Sequence, residues 1–220
     1  MLLAMSLETK ERILDAAERL FADEGFAATS LRQITAEAGV NLAAVNYHFG
    51  SKESLLTAVF ERRVVPINKE RLRRLDELET KAADGTPIEL EQVVRAFIVP
   101  AFRAAEQFGA QGAKFMQLVG RMHSETNQQL RGTFLKLFQP VGLRFLPVLR
   151  KLMPDLAEEE VLWRLHFVIG SLAHTLVCTQ LEEPLMGKLV RGEHLAESLV
   201  QFSAAGMAAR VSAPVAVPKS

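Results

Sequence analysis

Gly39 stands between two short stretches that each carry their own helix signals, and this arrangement constrains the fold more than any other feature of the chain. Ser30 opens the first stretch with Gln33 three residues on, a capping-box pattern in which each residue's side chain satisfies the other's backbone N–H. Leu31, Ile34 and Ala38 follow at helical spacing, and Asn41 is a good N-cap for a second stretch ending near Phe49–Gly50. A glycine between them supplies the positive φ of a tight turn, so the segment from Ser30 to Phe49 reads as a helix-turn-helix. Thr35 and Ala38 are small enough for close helix approach, while Leu31, Ile34, Val40 and Val45 form the buried side. The face left over on the second helix offers Asn41, Leu42, Ala43, Asn46, Tyr47 and His48. Small and short polar side chains at the start of an exposed helix suit the major groove of DNA, about 12 Å wide.

The rest of the chain also reads as helix. No run alternates β-branched and polar residues, and no Asn-Gly or Asp-Gly pair joins two such runs. The expected class is therefore all-α. A first helix opens after Ser6, carries Ile13, Ala17, Leu20 and Phe21 as one stripe, and stops at Gly25. A fourth opens at Ser51 with Leu55, Leu56, Val59 and Phe60 on one side, and Pro66 is expected to kink or break it. Further helices are predicted over 89–108, 112–123, 126–152, 158–181 and 193–210, with kinks or short interruptions at Pro100, Pro140 and Pro147. The last ten residues, 211–220, carry two prolines and little to pack, and are expected to form a disordered tail.

Composition removes several function classes. Cys178 is the single cysteine, which excludes an internal disulfide framework and a Cys-rich zinc site. His166 and His174 stand two helical turns apart, roughly 12 Å, so one ion cannot take both, and His123 lies far from them in sequence. Neither a metal nor a cofactor is expected. There is no Gly-rich phosphate loop and no G-x-S-x-G, H-E-x-x-H or C-x-x-C motif, so the chain does not read as an enzyme. The first ten residues carry no signal-peptide pattern. The most apolar stretch, 167–178, falls short of the ~20 residues of a membrane helix, so a cytoplasmic chain is expected. Lys plus Arg and Asp plus Glu number 26 each, so any nucleic-acid reading rests on local pattern. Over 1–63 acidic residues outnumber basic ones, and non-specific phosphate attraction should be modest. Affinity would then rest on a few placed cations, the helix N-termini at Ser30 and Ser51, and paired binding by a dimer. Arg71, Arg73 and Arg74 are surrounded by Glu70, Asp76, Glu77 and Glu79 and read as a solvated face.

The segment ERILDAAERLFADEGFAATSLRQITAEAGVNLAAVNYHFGSKESLL resembles the N-terminal DNA-binding domain of the TetR family of bacterial transcriptional regulators. The likeness spans about Thr9 to Leu56. It lies in the amphipathic first helix, Gly25-Phe26, Thr29, the Gly39 turn, and Tyr47-His48-Phe49 followed by Ser51-Lys52. Val40–Lys52 is most similar to a fatty-acid-responsive subgroup, as, more loosely, is the segment from Trp163 to His174. The resemblance implies a two-domain helical repressor, a helix-turn-helix DNA-binding domain over 1–56 and a helical ligand-binding and dimerisation domain over 57–210, which dimerises through its last two long helices and leaves DNA when a small molecule enters the C-terminal domain. By position it places Thr29, Tyr47, His48 and Lys52 on phosphates and Asn41 to Asn46 on bases. With Ser30 and Arg32, the expected DNA site is Thr29, Ser30, Arg32, Asn41, Leu42, Ala43, Asn46, Tyr47, His48 and Lys52. Leu42 and Asn46 depart from the family's commoner residues, so no operator sequence carries over.

Segment 158–181 is apolar nearly all round, so one side should pack on its own domain and the other on a partner copy. With 193–210 it would form a four-helix dimer interface. The aromatic and Met content between Phe97 and Phe167 suits a pocket for a long apolar molecule, an acyl chain or a polycyclic aromatic. Its expected lining is Phe97, Phe115, Met116, Phe138, Trp163 and Phe167, with His166 or His174 as the polar contact. The subgroup resemblance points to a fatty acid or acyl-CoA. The alternative is a DNA-binding protein without an effector, governed by a protein partner or acting structurally; a closed core would favour it.

Overall fold

The computed structural model describes residues 2–123, 127–178 and 193–210. Among them stand nine helices and no strand: α1 Leu2–Asp23, α2 Leu31–Ala38, α3 Leu42–Phe49, α4 Lys52–Ala83, α5 Leu90–His123, α6 Gln128–Lys136, α7 Gln139–Leu152, α8 Glu158–Cys178 and α9 Glu193–Ala208. The all-α class is as expected. α5 lies at the centre, against α1, α4, α8 and α9.

The local caps work as the sequence indicates. Ser30 Oγ accepts from Gln33 N at 3.2 Å, and Gln33 Oε1 accepts from Ser30 N at 2.7 Å. Asn41 Oδ1 accepts from Ala44 N at 2.9 Å, and Ser51 Oγ from Ser54 N at 3.0 Å. Gly39 closes α2 in the left-handed region at φ 62° and ψ 41°. Arg12 of α1 secures that turn from below, donating from Nε to Ala38 O at 3.1 Å and from Nη2 to Gly39 O at 2.9 Å. Ile13, Ala17, Phe21, Ile34, Val45, Leu55 and Val59 close the core of this unit.

At three of the prolines no break occurs. Pro66 does not interrupt α4, which runs unbroken through it. Pro66 is exposed, while Phe60, Arg63, Val64, Asn68, Arg71 and Leu75 hold the opposite side in the core. Tertiary packing thus offsets the lost backbone bond. Because α4 is continuous, the expected boundary between 56 and 57 falls within a single helix. Pro100 and Pro147 likewise sit inside α5 and α7. Pro140, by contrast, lies in the first turn of α7, where a missing N–H costs nothing, so the segment predicted over 126–152 is two helices. The real break in α5 is Gly109, at φ 54° and ψ −134°, a conformation open to glycine and costly for other residues. It falls where the sequence separates 89–108 from 112–123.

α1 begins at Leu2, earlier than expected. The expected end of the eighth helix at Leu181 and the tail over 211–220 lie outside the described residues. By length and composition α8 is long and apolar enough to cross a membrane, with a mean hydropathy of 1.4. Its Arg164 is buried, however, donating to Glu160 Oε1 at 2.8 Å and to the carbonyls of Met207 and Ala209 at the end of α9. A cation at a helix C-terminus satisfies orphan carbonyls, and α8 is a core helix with one uncovered side.

Candidate nucleic-acid interface and ligand cavity

The second helix of the turn, α3, is held by one buried side chain, Val45, while Asn41, Leu42, Ala43, Asn46 and Tyr47 are exposed. Tyr47 is 83% exposed and packs edge-on against His48, a large aromatic left in water beside a recognition-type helix. Ser30 and Arg32 are exposed at the start of α2. Lys52, in the first turn of α4, lies with Nζ 4.3 Å from the centre of the Phe26 ring, a cation–π contact that holds the ammonium in place. Ser30 and Arg32 thus stand at the start of α2, Asn41, Leu42, Ala43, Asn46, Tyr47 and His48 at the cap and along α3, and Lys52 in the first turn of α4.

Thr29 is different. It is 1% exposed, and its hydroxyl donates to Gly25 O at 2.8 Å, with Leu20 O at 3.2 Å. It ties the α1–α2 loop together, with its side chain buried against backbone carbonyls. The acidic excess has a structural explanation too. Glu11, Asp15 and Glu18 converge on Arg62, Glu18 also pairs with Arg63, Glu37 with Arg19, and Asp23 with Lys114. These carboxylates are engaged with cations, not spread as a repulsive field over α3.

A cavity of about 340 Å³ opens between α4, α5, the α6–α7 joint and α8. This lies within the range of ligand pockets, about 300–1,000 Å³. Phe97, Phe115, Met116 and Phe138 line it, as the sequence suggests, together with Phe108, Phe134 and Phe145. Trp163, His166, Phe167 and His174 do not. Trp163 and Phe167 are 53% and 62% exposed, stacked on each other on the outer side of α8, and His166 and His174 are exposed. α8 presents Leu165, Ile169, Leu172 and Leu176 to the cavity instead. A helix apolar all round does not reveal which side faces inward.

The expected histidine contact is replaced by a residue read as solvated. Arg71 is 3% exposed, lines the cavity, and is its one charged wall residue among the described residues. Burial pushes its guanidinium down to about 9. The missed signal is periodic: Val64, Asn68, Arg71 and Leu75 fall on one helical stripe and are all buried. Arg73 and Arg74, by contrast, pair with Glu70 on the outer side as expected. No group of three or more metal-ligating side chains occurs among the described residues.

A set of polar contacts joins the cavity wall to the helix-turn-helix unit. Arg63 donates to Glu18 of α1 and to Gln111 of α5, and its guanidinium lies 4.4 Å from the centre of Phe108. Beyond the Gly109 break, Arg121 Nη2 donates to Asp23 O at 2.9 Å, and Lys114 pairs with the Asp23 carboxylate. The end of α1 is thereby fastened to the second half of α5.

Residues 13–59 match the family described as bacterial regulatory proteins, tetR family, and residues 95–206 match the tetracyclin repressor-like, C-terminal domain. Over 54 residues the chain is 48% identical to the uncharacterized HTH-type transcriptional regulator YerO of Bacillus subtilis, a match covering 24% of this chain and 19% of that protein. The chain spans between about a fifth and a half of the length of the curated relatives it matches. Among solved structures, the fatty acid degradation regulator FadR from Bacillus halodurans is similar at TM-score 0.59 and 16% identity, covering 92% of this chain and 97% of that one. The TetR family transcriptional regulator PfmR from Thermus thermophilus is similar at TM-score 0.59 and 19% identity, covering 87% and 96%. At such identities the likeness is one of fold.

Proposed function

The chain belongs to the TetR family of bacterial transcriptional regulators, and we propose that it serves as a homodimeric repressor that leaves its operator when an apolar small molecule fills the cavity. The observation that carries this reading is the joining, in one chain, of an exposed recognition helix and a largely apolar cavity through α4 and α5. α3 would enter the major groove with Asn41 to Asn46 toward the bases. Tyr47, Arg32, Lys52 and the helix N-termini at Ser30 and Ser51 would hold phosphates.

The dimer follows from what α8 and α9 leave uncovered. Leu162, Trp163 and Phe167 on α8 and Phe202 on α9 are large, apolar and exposed. Gly170 has open space around it. A patch of this kind marks an association surface, and a two-fold pairing would present two recognition helices to half-sites about 34 Å apart.

Release would be a population shift. A ligand against Phe108 and Phe115 would favour one placement of α5, and Arg63, Lys114 and Arg121 would carry it to α1. The ligand must prefer the dimer whose helices no longer match the half-sites, because equal affinity for both shifts nothing. A regulator without an effector is disfavoured by the cavity, which a closed core would lack.

Selection from a pool of randomised duplexes tests the DNA reading. Enrichment of a palindrome with half-sites about one helical turn or a multiple apart is expected. Recovery of no preferred sequence would defeat it.

A further inference from the structure

Arg71 is buried without a counter-charge among the described residues. Its Nε donates to Phe97 O at 2.8 Å, its Nη1 to Asn68 Oδ1 at 3.1 Å, and its guanidinium lies 4.2 Å from the centre of the Phe97 ring. A guanidinium has five N–H donors, and the two engaged here meet neutral acceptors. The other two buried arginines do hold a carboxylate: Arg63 pairs with Glu18 and Arg164 with Glu160. Even pushed down by burial to about 9, the Arg71 group stays protonated at neutral pH. An unpaired charge in an apolar interior is costly, and a chain that needed only to tie Phe97 O to Asn68 could do so with a neutral amide.

We propose that the cavity binds a monocarboxylate with an apolar tail, its carboxylate on the guanidinium of Arg71 and its tail among Phe115, Phe138, Ile169 and Leu172. The proposal rests on the apolar-effector reading above and names the ligand's head. The planar fork of arginine matches a carboxylate with two parallel bonds, stronger than neutral ones. Apart from Arg71 and the amide of Gln139, the walls are aromatic, aliphatic or thioether, so most of the ligand must be apolar. A thioester lacks the free carboxylate, and its nucleotide phosphates would sit at the far end of a long arm. The same guanidinium touches two parts of the wall. Phe97 belongs to α5, and Asn68 donates onward to Leu137 O at 2.8 Å in the α6–α7 joint. Occupancy of Arg71 would thus be felt on both sides of the cavity.

The test is calorimetric titration of the full chain with dodecanoate, methyl dodecanoate and dodecanoyl-CoA. Dodecanoate is expected to bind the wild type at least about tenfold tighter than its ester, as a charge-assisted pair requires. In Arg71→Met the acid should fall to the level of the ester, and Arg71→Lys should keep part of the difference. The comparison of acid with ester is made on the wild type, so it stands even if a variant fails to fold. Equal binding of acid and ester, or tightest binding of the thioester, would overturn the carboxylate assignment while leaving an apolar effector in place. Binding of none of the three would overturn both readings.

Discussion

The guanidinium of Arg63 lies between the Phe108 ring, which lines the cavity, and the Glu18 carboxylate of the helix that supports the helix-turn-helix. It donates to Glu18 through Nε at 3.0 Å and through Nη2 at 2.9 Å. The pair is buried on both sides, so removing Arg63 leaves the Glu18 carboxylate with Arg62 as its remaining cation. Arg63→Ala should lower unfolding stability by about 3 kcal/mol, the lower end for a broken buried pair, because Arg62 still donates to Glu18. Urea unfolding measures this. A change below about 0.5 kcal/mol would mean that the pair carries no weight.

Gly39 needs its left-handed conformation, at φ 62°, and a Cβ there would come within 2.9 Å of Arg12 Nη2. Gly39→Ala should cost about 1–2 kcal/mol in backbone strain alone. It should also weaken DNA binding, since Arg12 must let go of the turn. Gly39→Asn should be milder, because asparagine tolerates that region. Thermal melts and operator titrations of the two variants check the order.

Phosphate contacts and structural contacts separate by salt. Arg32→Ala and Lys52→Ala should each reduce the slope of log affinity against log salt by about 0.9. Tyr47→Phe should weaken binding to all sequences alike, and Asn46→Ala should relax sequence preference. Thr29→Val should leave the salt slope unchanged and lower stability by about 1–2 kcal/mol, because its hydroxyl serves the loop. A reduced salt slope in the valine variant would return Thr29 to the phosphate side.

The exposed side of α8 and α9 predicts the oligomer. The wild type should sediment as a dimer at micromolar concentration, and the double substitution Phe167→Glu, Phe202→Glu should give a folded monomer. Charges are depleted at the centre of such interfaces because desolvating them is costly. A dimer that survives both charges lies on another surface.

The turn and its flanking helices were legible because capping is local. Ser30 with Gln33, Asn41 and Gly39 each act within four residues, so neighbouring sequence determines them. The misread features are those decided by distant residues. Pro66 stays inside α4 because the buried stripe from Phe60 to Leu75 holds the helix together. Trp163 and Phe167 face outward because Leu165, Ile169, Leu172 and Leu176 fill the inner side of the same helix. Arg71 looked solvated among Glu70, Arg73 and Arg74, yet each residue turns about 100° around the axis. Its true neighbours are Asn68 and Leu75, three and four residues away. Of the aromatic and Met residues expected in the cavity, Phe97, Phe115 and Met116 line it from α5, whose apolar residues fall on one side, and Phe138 from the α6–α7 joint.

Operator release is the most direct measurement of the central claim that cavity and recognition helix are coupled. The selected duplex is bound at fixed salt and titrated with fatty acids, acyl-CoA thioesters, planar aromatics and small charged metabolites, with fluorescence anisotropy reporting bound DNA. The account predicts that an apolar ligand releases the wild type, and that Phe115→Trp, which fills the cavity, blunts release while leaving operator affinity in the absence of ligand intact. Release by a small charged metabolite alone, with every apolar ligand inert, would contradict it.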